Sequence, residues 1–140
     1  ILGRRVISPR TSEYVRYLMR LNALEGSGRR MNAIADGYMA GGKTGTADKV
    51  IDGRYDSTRN LAVFASGFPL TDPQYAMVVL VDEPKRETPQ SGRTAAWNAG
   101  EVTGRIIHRI APLLGVMPDF SENSELSLVP SEIRNSRDGN

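Results

Sequence analysis

The sequence contains no cysteine, one histidine and no long hydrophobic run. Without cysteine the chain forms neither disulfides nor thiolate metal sites, and His108 alone leaves no histidine-rich metal site. The longest apolar runs, residues 61–65 and 75–81, have the length of strands. A bilayer-spanning helix needs about 20 apolar residues, so the sequence contains no candidate for one.

Strong positive charge is also lacking. The formal net charge of +2 is too small to indicate nucleic acid as a partner. Residues 118–140 contain five acidic residues and two arginines, so the preceding part has a net charge of about +5, which is compatible with an anionic substrate. Because the sequence starts at Ile1 with neither an initiator Met nor an apolar leader, we expect further sequence upstream.

Apolar residues at helical spacing follow Ser8 and Pro9, a typical helix N-cap and first position. Glycines at positions 26 and 28 predict the end of this helix. A second helical pattern extends over residues 95–113. It predicts a helix that Pro112 and Gly115 close.

Two continuous apolar runs, residues 60–68 and 74–82, flank the turn at residues 71–73. This pattern predicts an antiparallel hairpin covered by helices on both faces. Together with the preceding glycine-rich segment, the order predicts an α+β fold with helices on a small antiparallel sheet. We predict a folded part at residues 1–117 and, because no periodicity follows Pro118, a disordered polar tail at residues 118–140.

Residues 37–44 match the phosphate-loop pattern G-x-x-x-x-G-K-[ST]. A phosphate loop must follow a buried strand and open a helix, since the helix N-terminus binds the phosphates. The segment before the motif is a poor strand, and the segment after it is a poor helix. A nucleotide-binding module that uses Gly37–Thr44 therefore stays an alternative, but the flanking strand and helix that it requires are not predicted.

The same residues contain Lys43-Thr44-Gly45, which predicts an edge strand that lines a cleft. K-T-G is the third motif of the penicillin-recognising serine acyltransferases, beside S-x-x-K and S-x-N. In a strand, Lys43 and Thr44 point to opposite sides. Gly45 lets a substrate backbone approach, and the amide of Thr46 can join an oxyanion hole. Taken alone, Thr44 and Thr46 are better interpreted as ordinary strand threonines, because threonine is common in strands.

The surrounding sequence resembles the C-terminal part of class B penicillin-binding proteins, most of all the septal, division-specific (FtsI-type) transpeptidases. The resemblance covers about residues 4–117 and implies a partial fold of the penicillin-binding-protein and β-lactamase kind. It rests on residues 6–9, 37–50, 52–55, 79–84 and 95–100.

The resemblance implies roles for four residues. Lys43 is expected to assist proton transfer and to orient the active-site serines. Thr44 is expected to bind the substrate or antibiotic carboxylate, with Gly45 allowing close approach. Thr46 is expected to bind the same carboxylate and to lend its N–H to the oxyanion hole.

The resemblance also implies partners: the D-Ala-D-Ala stem peptide of peptidoglycan, β-lactam antibiotics, and divisome membrane proteins that contact other parts of the parent protein. It implies no metal, organic cofactor or nucleic acid. The expected location is the periplasmic side of the bacterial inner membrane, with the anchor outside this chain.

No serine in the sequence begins an S-x-x-K motif. Ser121-Glu122-Asn123 matches S-x-N, but this match lies after K-T-G in the sequence. In the family, the S-x-N motif precedes K-T-G. Acyl transfer needs a serine with a base in hydrogen-bond reach, so we expect the isolated chain to be inactive. A β-lactamase or β-lactam-sensing relative, which shares K-T-G, stays a further alternative.

Overall fold

The computed structural model describes residues 3–85 and 94–137. Helices pack on one antiparallel sheet, which confirms the predicted α+β class. Among the described residues, no helix is both long and apolar enough to cross a membrane. The elements in chain order are α1 (Pro9–Glu25), α2 (Arg29–Ile34), β1 (Gly41–Ile51), β2 (Arg54–Phe68), β3 (Tyr75–Asp82), α3 (Ala99–Ile110), a 3-10 turn (Pro112–Leu114), α4 (Glu122–Leu128) and α5 (Ser131–Arg137).

Helix α1 begins as the sequence predicts. The Ser8 hydroxyl accepts the Thr11 N–H at 3.1 Å, and Pro9 occupies the first turn. Gly26 caps the other end. The last helical pattern is shorter than predicted. Its regular part, α3, ends before Pro112, which has no N–H to donate, and a 3-10 turn ends at Gly115 with a left-handed φ of 77°.

The sheet has the order β1-β2-β3 with antiparallel neighbours. Thr44 of β1 lies opposite Phe64 of β2, which lies opposite Val79 of β3. Among the described strands, β1 is therefore an edge, as predicted for the segment that carries K-T-G. A register shift between Asp48 and Lys49 separates this part of β1 from the tip of the hairpin.

The main core lies on one face of the sheet, where α3 packs against β2 and β3 and α2 packs against α3. Phe64, Met31 and Ile107 are fully buried there. A Cβ at Gly104 of α3 would lie 2.7 Å from the Met31 carbonyl oxygen, and one at Gly100 would lie 3.3 Å from the Phe64 ring. These two glycines let α3 approach both α2 and the sheet closely.

The sequence predicts helices on both faces of the sheet, and this prediction is wrong for the second face. Side chains of β3 alternate between half-buried and exposed, and Val78 and Leu80 are 69% and 56% exposed. In the described part of the chain no helix covers them, because α2 and α3 lie on the opposite face and α1 contacts mainly β1. The apolar run indicates a strand with two apolar faces, but only one face is covered here.

Residues 118–137 also differ from the predicted disorder, because they contain α4 and α5. Glu125 pairs with Arg20 of α1, and Glu132 accepts hydrogen bonds from Arg10 and Tyr14 at 2.9 and 2.8 Å. The acidic residues that suggested a solvated tail therefore meet polar groups of α1. Leu128 is also buried beside Met39, Leu70 and Met19.

Candidate functional site

The site is the first half of β1, where Lys43 and Thr44 lie on opposite faces of the sheet. Lys43 lies opposite the exposed Ala65, and Thr44 lies opposite the buried Phe64. The ammonium group nevertheless folds back along the strand. Lys43 Nζ donates to the Thr44 carbonyl oxygen at 2.8 Å and to Thr44 Oγ1 at 3.2 Å. The ammonium and the hydroxyl therefore lie side by side.

Gly45 leaves an open position next to these groups. Among the described residues, a Cβ built there would meet only the Val63 Cβ, at 3.9 Å. Gly42 is the opposite case: a Cβ there would lie 2.4 Å from both the Ala65 carbonyl oxygen and the Phe64 ring. The glycine of K-T-G is thus free for an approaching molecule, whereas Gly42 is required by packing.

Thr46 connects β1 to the turn before α3. Its Oγ1 accepts a hydrogen bond from the Ala95 N–H at 3.4 Å, while the residue as a whole is exposed. The four residues predicted from the sequence, Lys43, Thr44, Gly45 and Thr46, therefore lie together on one edge strand. The carboxylate-binding, oxyanion and proton-transfer roles expected of them stay predictions.

Two residues of the preceding helix and turn, Asn22 and Ser27, also contact the K-T-G strand. Neither contact is predicted by the sequence. Ser27 Oγ lies 2.9 Å from Thr44 Oγ1. The Asn22 side-chain amide donates to the Gly42 carbonyl oxygen at 2.7 Å. The only signal in the sequence was the Gly-Ser-Gly run, which indicates a helix end and does not reveal what the serine contacts.

Arg20 holds the segment that leads into β1. Its guanidinium donates to the Ala40 carbonyl oxygen at 2.7 Å and to Asn32 Oδ1 at 2.6 Å. Its charge is balanced by Glu125, with Arg20 Nε 3.0 Å from both carboxylate oxygens. A buried guanidinium with five donors suits this arrangement, because each partner lies in a different direction.

The geometry does not fit a phosphate loop. Gly42, Lys43 and Thr44 belong to a strand that continues to Ile51, so no helix N-terminus follows the lysine. Among the described residues, no group of three or more His, Cys, Asp or Glu side chains could hold a metal ion.

A family model described as the penicillin binding protein transpeptidase domain matches residues 1–107. The chain belongs to this family. Its relatives include stage V sporulation protein D of Bacillus subtilis, which is 40% identical over 118 residues. The probable peptidoglycan D,D-transpeptidase FtsI of Caulobacter vibrioides is 40% identical over 122 residues.

Solved transpeptidase domains of this family share the fold. The apo transpeptidase domain of Burkholderia pseudomallei penicillin-binding protein 3 superimposes on 85% of the chain, with a TM-score of 0.70 and 30% identity. Penicillin-binding protein 3 of Mycobacterium tuberculosis, solved with ampicillin, covers 84% of the chain with a TM-score of 0.68 and 23% identity. The latter likeness concerns the fold alone.

The match covers only part of each relative. The two sequence relatives align with 84% and 81% of this chain but with 17% and 21% of their own lengths. The Burkholderia transpeptidase domain aligns over 34% of its chain. The chain therefore corresponds to a part of a penicillin-binding transpeptidase domain.

Proposed function

We propose that this chain forms one wall of the active site of a serine D,D-transpeptidase that cross-links peptidoglycan. The observation that carries the proposal is the K-T-G sequence on an edge strand whose glycine is open, in a chain that belongs to the transpeptidase family. The nucleophilic serine is supplied by the part of the domain outside this chain, since no S-x-x-K occurs in the sequence.

The reaction consists of two acyl transfers. The serine oxygen attacks the carbonyl carbon between the two D-alanines of a stem peptide, the C–N bond breaks, and the terminal D-alanine leaves with a proton. The amine of a neighbouring stem then attacks the resulting ester, forms the cross-link and returns the serine hydroxyl. A β-lactam acylates the same serine when its ring amide opens.

The residues of β1 stabilise charge in this scheme. Lys43 places a positive charge beside the hydroxyl of Thr44, where the substrate carboxylate binds. Thr46 contributes to the same carboxylate and supplies its backbone N–H to the oxyanion hole. Gly45 lets the substrate backbone lie against the strand because it has no Cβ to prevent contact.

The names of the relatives support a role in peptidoglycan synthesis during division or sporulation. Divisome membrane proteins are our proposed partners of the whole protein. Because peptidoglycan lies outside the cytoplasmic membrane, we place this part on the periplasmic side, with the anchor elsewhere in the protein. The ampicillin complex of the Mycobacterium protein supports β-lactams as ligands.

Intact mass after benzylpenicillin treatment tests the proposal. The samples are the 140-residue chain and an extended protein, defined as this chain with its natural upstream sequence. We expect an adduct on the extended protein only, formed more slowly in Lys43→Ala. Arg109→Ala, which removes an exposed positive charge on α3, is the matched control and should leave the rate unchanged.

Each other outcome has a distinct meaning. Absence of an adduct on both proteins contradicts the transpeptidase proposal, and an adduct on the short chain contradicts its predicted inactivity. The lifetime of the adduct separates the remaining alternative, because a β-lactamase relative hydrolyses the acyl-enzyme quickly and a transpeptidase retains it.

A further inference from the structure

The turn between α1 and α2 is built around Asn22. The Asn22 carbonyl oxygen accepts the N–H groups of both Gly26 and Gly28 at 3.0 Å, and Asn22 Oδ1 accepts the N–H of Ser27 at 3.1 Å. A Cβ at Gly26 would lie only 2.2 Å from Asn22 Oδ1. The Asn22 side chain therefore determines the position of Ser27, and Gly26 leaves room for that side chain because it has no Cβ.

The same asparagine also fixes this turn to the K-T-G strand. Asn22 Nδ2 donates to the Gly42 carbonyl oxygen at 2.7 Å, directly before Lys43. Two residues further along β1, Thr44 Oγ1 meets Ser27 Oγ at 2.9 Å. The hydroxyl of Ser27 thus reaches Thr44 from a turn that is fixed on the strand by a separate hydrogen bond.

Counting protons gives the direction of each hydrogen bond. Ser27 Oγ donates to Asn22 Oδ1 at 3.2 Å, so its contact with Thr44 must use the proton of Thr44. Lys43 Nζ occupies an acceptor position on Thr44 Oγ1 at 3.2 Å. In this state the Thr44 proton points to Ser27, and no proton of that hydroxyl is available for a carboxylate.

We propose that Ser27 is a positioning residue that acts through Thr44 on recognition of the substrate carboxylate; this rests on the proposed function. When a carboxylate arrives, the Thr44 hydroxyl turns its proton to it. Ser27 then rotates its own proton from Asn22 Oδ1 to Thr44 Oγ1. Asn22 Oδ1 keeps the hydrogen bond from the Ser27 N–H, so it does not lose its only donor. No proton changes its oxygen, and the aligned hydroxyls polarise one another.

Acylation of the extended protein by two probes tests this proposal: benzylpenicillin, which has a free carboxylate, and its methyl ester, which does not. We expect Ser27→Ala to lower the second-order acylation rate constant for benzylpenicillin by about 3- to 10-fold, the size of one hydrogen bond. The rate constant for the ester should change by less than about 2-fold. Ser27→Thr retains the hydroxyl and should restore the rate.

Two controls separate positioning from folding. Ser57→Ala changes an exposed serine at the far end of β2 and should affect neither probe. In a Thr44→Ala background, Ser27→Ala should have no further effect on benzylpenicillin, because the residue through which it acts is gone.

The remaining outcomes overturn the proposal. Equal losses with both probes mean that Ser27 only supports the fold, and unchanged or faster acylation by benzylpenicillin means that Thr44 does not need it. If the unsubstituted extended protein is not acylated at all, the proposed function itself fails, and this inference fails with it.

Discussion

Arg20 of α1 and Glu125 of α4 form an ion pair across 105 positions of sequence, with the Arg20 Nε 3.0 Å from both carboxylate oxygens. Arg20 is only 4% exposed, and it also binds the Ala40 carbonyl oxygen one residue before β1. The C-terminal segment therefore neutralises a buried charge that holds the start of the K-T-G strand.

Loss of the Glu125 charge should destabilise the chain. Removing one partner of a fully buried ion pair costs about 3–5 kcal/mol, but the Glu125 side chain is 37% exposed, so we expect Glu125→Gln to lower the free energy of unfolding by about 2 kcal/mol. Urea denaturation of the full chain measures this. Glu122→Gln, an exposed glutamate on the same helix, is the control, and equal effects of the two substitutions would contradict the role of the pair.

The start of α4 should be sensitive to acid. The Ser124 hydroxyl and then the Ser121 N–H donate to the Asp119 carboxylate, and these bonds hold the pKa of that carboxyl below its ordinary value. A lowered pKa in the folded state contributes stability above the ordinary pKa, and this contribution is lost as pH falls through the folded value. We therefore expect amide protection at the start of α4 to decrease below about pH 4.

Carboxyl-carbon NMR of Asp119 measures its titration midpoint directly. Ser124→Ala should raise the midpoint toward the ordinary value, because it removes the largest cause of the shift. Ser127→Ala is the matched control, since Ser127 donates to the Ser124 carbonyl oxygen rather than to Asp119. A midpoint that does not move in Ser124→Ala would show that the hydrogen bond does not form in solution.

Two of the three glycines of β1, Gly42 and Gly45, should respond oppositely to a methyl group. Gly42→Ala places a Cβ 2.4 Å from the Ala65 carbonyl oxygen, so we expect a loss of about 1–3 kcal/mol in the free energy of unfolding. Gly45→Ala has open space and should leave stability unchanged or raise it by up to about 1 kcal/mol. Thermal melts of the two variants make the comparison, and similar losses would mean that β1 is placed differently.

The uncovered sheet face should make the chain associate with itself. Val78 and Leu80 are exposed on β3, which is also an edge among the described strands. We predict concentration-dependent association and poor solubility, both reduced by Val78→Lys. Sedimentation velocity measures the association, and Val50→Lys, at the exposed hairpin tip of β1, is the control. A monomeric, soluble unsubstituted chain with a cooperative melt would contradict this prediction.

The elements that the sequence predicts well are those whose signals are local. The start of α1 depends on Ser8 and Pro9, which act on the next turn of the same helix. The K-T-G strand and the hairpin follow from neighbouring residue types and from the turn before Tyr75. The family resemblance also depends on local residue order, and the family match to residues 1–107 confirms it.

The sequence by itself therefore determined the family, the α+β class and the placement of Lys43 to Thr46 on one strand. Only the tertiary structure decided that Ser27 meets Thr44, 17 positions away, and that Glu125 neutralises Arg20, 105 positions away. The physical reason is that composition and periodicity describe what a residue prefers, whereas a hydrogen bond or an ion pair depends on where the fold brings its partner. For that reason an acidic segment that resembles a solvated tail lies against α1 as two helices.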